Sequence, residues 1–144
     1  MTSSPSTSAQ KITPPASAEK AVVVIVDDDL AVLTSLKFAL ELEGYEVRTF
    51  ADARSLLRDP AAGRNAQLII DYHLPDINGF DLLERLQAKG VKSPAVLITS
   101  QPSEQLIRRA ATLKIPIIEK PFLDNSLVMT LRAQRSASFK TEGA

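Results

Sequence analysis

The chain is built from stretches that switch between two hydrophobic periods. Ala21-Val22-Val23-Val24-Ile25-Val26 is an unbroken, largely β-branched apolar run. That is the pattern of a strand buried on both faces, not of one with a wet side. From about Leu30 to Glu43 the apolar positions instead recur at three and four, with Leu33, Leu36 and Leu40 in phase and Gly44 where a left-handed cap belongs. The alternation then repeats. Tyr45 to Phe50 reads as a second strand, and a short helix from about Asp52 to Arg58 is stopped by Pro60. Gln67 to Ile70 reads as a third strand ending at Asp71, followed by a helix over Asn78 to Lys89 with Gly90 after it. Pro94 to Thr99 is a fourth strand, with Ser103 capping a helix to Thr112. Ile115 to Ile118 is a fifth, with Asp124 capping a last helix to about Gln134. Strands and helices in strict alternation predict right-handed crossovers and a parallel sheet covered on both faces, an α/β doubly wound fold with five strands.

The flanks break this pattern. Residues 1–20 are rich in Ser, Thr and Pro, and such a segment buries too little apolar surface to offset its ordering entropy. It predicts a disordered extension. Residues 136–144 look similar and predict a flexible tail, which leaves one domain over 21–135. With 17 basic and 17 acidic residues, no bulk charge favours nucleic acid or an anionic membrane. Arg108 and Arg109 read as a solvated helix face. The absence of cysteine rules out disulfides and thiolate metal sites, and one His, His73, excludes a multi-histidine site. The run Ala21 to Val26 is far too short to span a bilayer, and the first residues lack the apolar core of a secretory signal. A soluble, cytoplasmic protein is the expectation.

In a doubly wound sheet the site lies beyond the carboxyl ends of the strands, where the strand order switches. Here four of the five predicted strands end in polar residues: Asp27-Asp28-Asp29 at the first, Asp71 at the third, Thr99 at the fourth, Glu119-Lys120-Pro121 at the fifth. Asp27, Asp28 and Asp71 would converge on one edge. Packing gives no reason to gather like charges, which raise one another's pKa; a hard divalent cation such as Mg²⁺ relieves them. A cation, a carboxylate nucleophile, a hydroxyl and a lysine are the parts phosphoryl transfer needs.

These residues carry a resemblance. Val26-Asp27-Asp28-Asp29, Ile70-Asp71-Tyr72-His73-Leu74-Pro75-Asp76-Ile77-Asn78-Gly79, Leu97-Ile98-Thr99-Ser100 and Glu119-Lys120-Pro121-Phe122 are similar to the receiver domains of bacterial two-component response regulators, over about residues 21–135. The resemblance implies a flavodoxin-like strand order 2-1-3-4-5. It implies Asp71 as phosphoacceptor, Asp28 and Asp71 as direct Mg²⁺ ligands (Mn²⁺ as substitute), Asp27 acting largely through water, and the backbone carbonyl of His73 completing the protein ligands. Lys120 would pair with the phosphoryl oxygens and Thr99 would donate its hydroxyl to them. His73 and Gln101 would tune the lifetime of the acyl phosphate. The Lys120–Pro121 peptide is commonly cis in this family. The implied partners are a sensor histidine kinase or histidine phosphotransfer protein, a separate downstream effector, and a second copy through the fourth helix, fifth strand and fifth helix, with no nucleic acid and no membrane. The short stretch after the last helix leads to the expectation of a stand-alone receiver, a phosphoacceptor and not a turnover enzyme.

Two residues read as structural: Asp29 as a helix cap and Gly79 as a point of tight geometry. Two features depart from the family pattern. Ile117 stands where most receivers carry Phe or Tyr at a switch position, and Leu113-Lys114-Ile115-Pro116 lacks the usual glycine. A pseudo-receiver or scaffold working without phosphorylation is therefore an alternative. An aspartate-nucleophile phosphatase of the dehalogenase-like class would want Asp-x-Asp-x-Thr after its first strand. A nucleotide or flavin module would want a glycine-rich loop, absent among five glycines.

Overall fold

The computed structural model describes residues 20–122 and 124–143, with side chains through residue 137. The disorder expected for residues 1–19 lies outside these. The elements run β1 (Val22–Val26), α1 (Leu30–Leu42), β2 (Glu46–Phe50), α2 (Ala53–Arg58), a 3₁₀ turn (Pro60–Gly63), β3 (Ala66–Asp71), α3 (Gly79–Ala88), β4 (Ala95–Thr99), α4 (Glu104–Leu113), β5 (Ile117–Glu119) and α5 (Ser126–Gly143). The sheet is parallel throughout with order β2-β1-β3-β4-β5, as the resemblance implied.

The unbroken apolar runs are explained by two cores, one on each face. Val24, Val26, Leu68, Ile70 and Leu97 point to α2, α3 and α4, through Leu56, Phe80, Leu82, Leu86 and Leu106. The alternate residues Val23, Ile25, Ile69, Val96 and Ile98 point to α1 and α5, through Leu33, Leu36, Leu40, Leu127 and Leu131. Each fully buried Ile or Leu contributes about 1.5–3 kcal/mol over an exposed one, so the central strands β1, β3 and β4 form the rigid base for whatever their ends carry.

Most boundaries fall within one residue of expectation, and three differences have a visible physical reason. β5 begins two residues late, because Ile115 is used to end α4: Lys114 takes a left-handed φ of 59° and the N–H groups of Lys114 and Ile115 close on Ala111 and Ala110. Lys114 thus occupies the conformation that glycine usually supplies. α5 continues to Gly143, past Gln134, so 136–143 is helical where an irregular tail was expected; no proline or glycine interrupts the sequence before Gly143. At its start, Met129 N–H bonds the Asn125 carbonyl, which makes Asn125 the cap. Asp124, one position earlier, still accepts from Ser126 N–H at 3.0 Å.

Candidate functional site

The topology brings the predicted residues together at the carboxyl edge. The chain leaves β1 towards β2 on one side and returns to β3 on the other, so the order switches between β1 and β3. Val26 pairs with Ile70, and Asp27 and Asp71 are the next residues on these neighbouring strands, which lie about 4.8 Å apart. Thr99 closes β4 opposite Glu119 of β5. Lys120 follows, its N–H bonded to the Thr99 carbonyl at 2.9 Å, and the Lys120–Pro121 peptide is cis.

The three consecutive acids after β1 have three different situations. Asp27 is fully buried, its backbone N–H bonded to Phe50 O and its Oδ1 accepting from Asp29 N–H at 2.9 Å. Asp28 is exposed. Asp29 is the N-cap of α1, accepting from Ala31 and Val32 N–H, as expected. Carboxylate oxygens of Asp27, Asp28 and Asp71 lie within 4.8 Å of one another. Lys120 Nζ stands 2.8 Å from Asp27 Oδ2 and 3.5 Å from Asp71 Oδ2. Asp71 Oδ1 accepts from His73 N–H at 3.2 Å.

The electrostatics follow from this crowding. Burial, reinforced by the Asp27 charge, pushes the Asp71 carboxyl above its ordinary range, against the opposing pull of Lys120 and the His73 N–H. Burial also works against the Lys120 ammonium, but its contacts with Asp27 and Asp71 outweigh that and hold it above the usual lysine range. One lysine therefore faces three carboxylates and leaves them under-neutralised. Asp27 Oδ2 is buried, with Lys120 Nζ at 2.8 Å as its contact. Three convergent carboxylates and an unrelieved negative charge fit a hard, oxygen-seeking divalent cation.

The remaining predicted residues frame this cluster. Thr99 is buried, its hydroxyl making only a long contact of 3.4 Å to Ser100 O. His73 is exposed, its ring edge-on to Tyr72 at 4.8 Å, which places its side chain at the rim. Gln101 lies exposed in the turn after β4, with φ 52°. Ile117 is half-buried against the core on the α2–α4 face. Gly79 opens α3 where a Cβ would stand 2.7 Å from Leu97 Cδ2 and 3.2 Å from Tyr72 Cα. Sequence reasoning passed over one residue that touches this region. Asp76, at the tip of the β3–α3 loop, accepts from the N–H groups of Ala53 and Arg54 at 3.2 and 2.9 Å. An acid after Pro75 reads as an ordinary turn residue, and no local signal points to a partner 22 residues earlier.

A parallel doubly wound sheet with acids and a lysine at its switch point is the flavodoxin-like class of α/β protein. Within that class the family model for the response regulator receiver domain matches residues 23–132, and the chain belongs to that family. Over 116 residues it is 30% identical to the transcriptional regulatory protein FixJ of Bradyrhizobium diazoefficiens, covering 79% of this chain and 56% of that one. It is 37% identical over 81 residues to the DNA-binding transcriptional regulator NtrC of Rhizobium meliloti, covering 56% of this chain and 17% of that one. The chain thus spans about half the length of FixJ and much less of NtrC. Among solved structures it resembles a CheY-like receiver domain protein of Methanospirillum hungatei, with TM-score 0.74 and 28% identity over 85% of this chain and 99% of that one. The chemotaxis protein CheY4 of Vibrio cholerae gives TM-score 0.72 and 25% identity over 80% and 98%. No helix among the described residues is long and apolar enough to cross a membrane.

Proposed function

We propose that the chain accepts a phosphoryl group on Asp71 from a phosphohistidine of a histidine kinase or phosphotransfer protein, with Mg²⁺, and that the acyl phosphate changes which partner it binds. The observation that carries this reading is the buried Asp71 carboxylate beside Asp27, with the Lys120 amine reaching both acids and standing 3.5 Å from Asp71. An Asp71 oxygen forms the new O–P bond as the N–P bond of the donor breaks, and the donor imidazole keeps the electron pair. Lys120 is placed to pair with a phosphoryl oxygen once Asp71 gives up its own charge to the new bond, and the Thr99 hydroxyl, held by no short hydrogen bond, is free to donate to another. Asp27, Asp28, Asp71 and the His73 carbonyl would hold the cation, which would offset the charge that the carboxylates and the incoming phosphoryl group share. The receiver takes part in its own phosphorylation and is not a turnover enzyme. The proposal includes cytoplasmic action on a downstream effector; the relatives FixJ and NtrC carry the module in longer chains.

Acetyl-phosphate labelling in Mg²⁺ tests it: wild type gains an acid-stable, base-labile phosphoryl group and Asp71→Asn does not. Equal labelling of both, or none of wild type, refutes it. Ile117 favours one second reading, a scaffold that does not depend on phosphorylation; such a protein would capture its partner equally well as Asp71→Asn.

A further inference from the structure

Beyond the residues at the strand ends, the loop between β3 and α3 is fastened at three points. At its base, Gly79 N–H bonds Tyr72 O at 2.9 Å, and His73 and Asn78 face each other in an isolated antiparallel bridge. At its tip, Asp76 reaches across to α2, with Oδ1 on Ala53 N–H and Oδ2 on Arg54 N–H. Those are the first two residues of α2, whose amides have no partner within the helix. Asp52, the helix's own cap, is occupied elsewhere, accepting from Ser55 N–H at 2.8 Å and Ser55 Oγ at 2.7 Å. The two aspartates therefore divide the end of α2: Asp52 serves its own turn, whereas Asp76 spends both oxygens on tying a distant loop down.

The tie is aimed at the site. The loop it holds carries His73, whose N–H fixes Asp71 Oδ1. The element it is tied to follows β2, whose last residue, Phe50, accepts the Asp27 N–H at 3.1 Å. Asp76 thus links the chain carrying Asp71 and His73 to the connection that abuts Asp27. We infer that Asp76 is a positioning residue for the divalent cation, setting the β3–α3 loop so that the His73 carbonyl is presented beside the carboxylates. A ligand held ready loses less freedom on binding, so releasing the loop weakens the cation without removing any of its ligands. The inference rests on the proposed cation site.

The experiment measures Mg²⁺ affinity by titration calorimetry, thermal unfolding without metal, and acetyl-phosphate labelling across Mg²⁺ concentrations, for wild type, Asp76→Ala, Asp76→Asn and Asp52→Ala. Asp76→Ala is expected to bind Mg²⁺ about 3- to 10-fold more weakly, below the 10- to 100-fold cost of losing a group bonded directly to a metal ligand, because Asp76 acts through the loop. Its labelling should return to the wild-type rate at saturating Mg²⁺. Asp76→Asn, which keeps one acceptor, should fall between. Asp52→Ala removes the cap of the same helix and should lower the melting temperature while leaving Mg²⁺ affinity unchanged. If Asp76→Ala lowers the melting temperature as Asp52→Ala does but binds Mg²⁺ like wild type, the residue only stabilises α2 and the inference is overturned. A wild-type protein that binds no Mg²⁺ overturns the cation site itself, a distinct result.

Discussion

The sharpest consequence of the crowded carboxylates is that ionised Asp71 lowers the stability of the metal-free protein. At an effective dielectric of about 20, two unit charges 4.8 Å apart, the outer limit for the carboxylate oxygens, repel by roughly 3.5 kcal/mol, and a pair at the 3.5 Å of Lys120 and Asp71 attracts by roughly 4.7 kcal/mol. Asp27 and Lys120 thus come close to cancelling at Asp71. Asp28 adds a screened repulsion from an exposed position, and burial of Asp71 then decides the sign, consistent with its raised pKa. Asp71→Asn keeps the shape and removes the charge, and Lys120 is not left unpaired because Asp27 remains at 2.8 Å. The variant should be more stable than wild type in EDTA at pH 8 by about 1–2 kcal/mol, the low end of what replacing buried charge yields. For a domain of this size that is about 4–8 °C in melting temperature. The pH dependence carries the test. Below the unfolded-state pKa of an aspartate the carboxyl is protonated in both states, so the two proteins should melt together apart from any difference in shape. As pH rises through the raised folded-state pKa, Asp71 ionises at a cost that only wild type bears, and the gap opens. Adding Mg²⁺ at 100 times its dissociation constant should return about 2.7 kcal/mol to wild type and reverse the order. Circular-dichroism melts between about pH 3 and pH 8.5, from below the ordinary aspartate pKa of about 3.9 upwards, measure all of this. A wild type that is the more stable protein at pH 8 without metal, or a gap that does not change with pH, would refute the reasoning.

Four further outcomes are expected. Gly79→Ala should destabilise by about 1–3 kcal/mol through overpacking, because its methyl meets Leu97 and the Tyr72 backbone; a melt within 1 °C of wild type would contradict the geometry. Asp29→Ala should lose about 1 kcal/mol with its cap while retaining wild-type phosphorylation in the labelling assay, unlike its neighbours Asp27 and Asp28. Lys114→Gly should gain about 0.5–1 kcal/mol by relieving a left-handed lysine, read as a higher melting temperature. His73→Ala should alter the decay rate of the acyl phosphate without abolishing labelling, and unchanged decay kinetics would remove the side chain from any role at the rim.

The elements were legible because each has a period that only one structure satisfies. β1 is apolar at every position, and β3 and β4 carry unbroken apolar runs over Leu68–Ile70 and Ala95–Ile98, since both faces of the sheet are covered, and α1 repeats Leu33, Leu36 and Leu40 since only one of its faces is. The site was legible for a related reason: a polar residue that ends an apolar strand needs a purpose, and Asp27, Asp71, Thr99 and Lys120 each stand at or directly after the last residue of a strand. What escaped were features made by contact between distant segments or by backbone torsion. Asp76 acts through amides 22 and 23 residues away. The start of β5 depended on Lys114 entering a conformation that its side chain disfavours, and periodicity carries no information about that.

Ile117 shows how the two kinds of information combine. In sequence it marks a departure from the aromatic that the family resemblance implies, and it suggests weakened switching. In the fold it pairs in register with Leu97 and packs half-buried on the α2–α4 face, where a β-branched side chain is stiff about its first torsion and has no ring to swing. Two residues further on, the same strand is tied to the site by a different means: Thr99 faces Glu119, and the Thr99 carbonyl holds the Lys120 N–H. Thr99 and Lys120 are therefore joined by one backbone hydrogen bond, which couples the end of β4 to the end of β5 through the main chain. That link depends on the register of the two strands rather than on the identity of residue 117, and an isoleucine at this position leaves it intact.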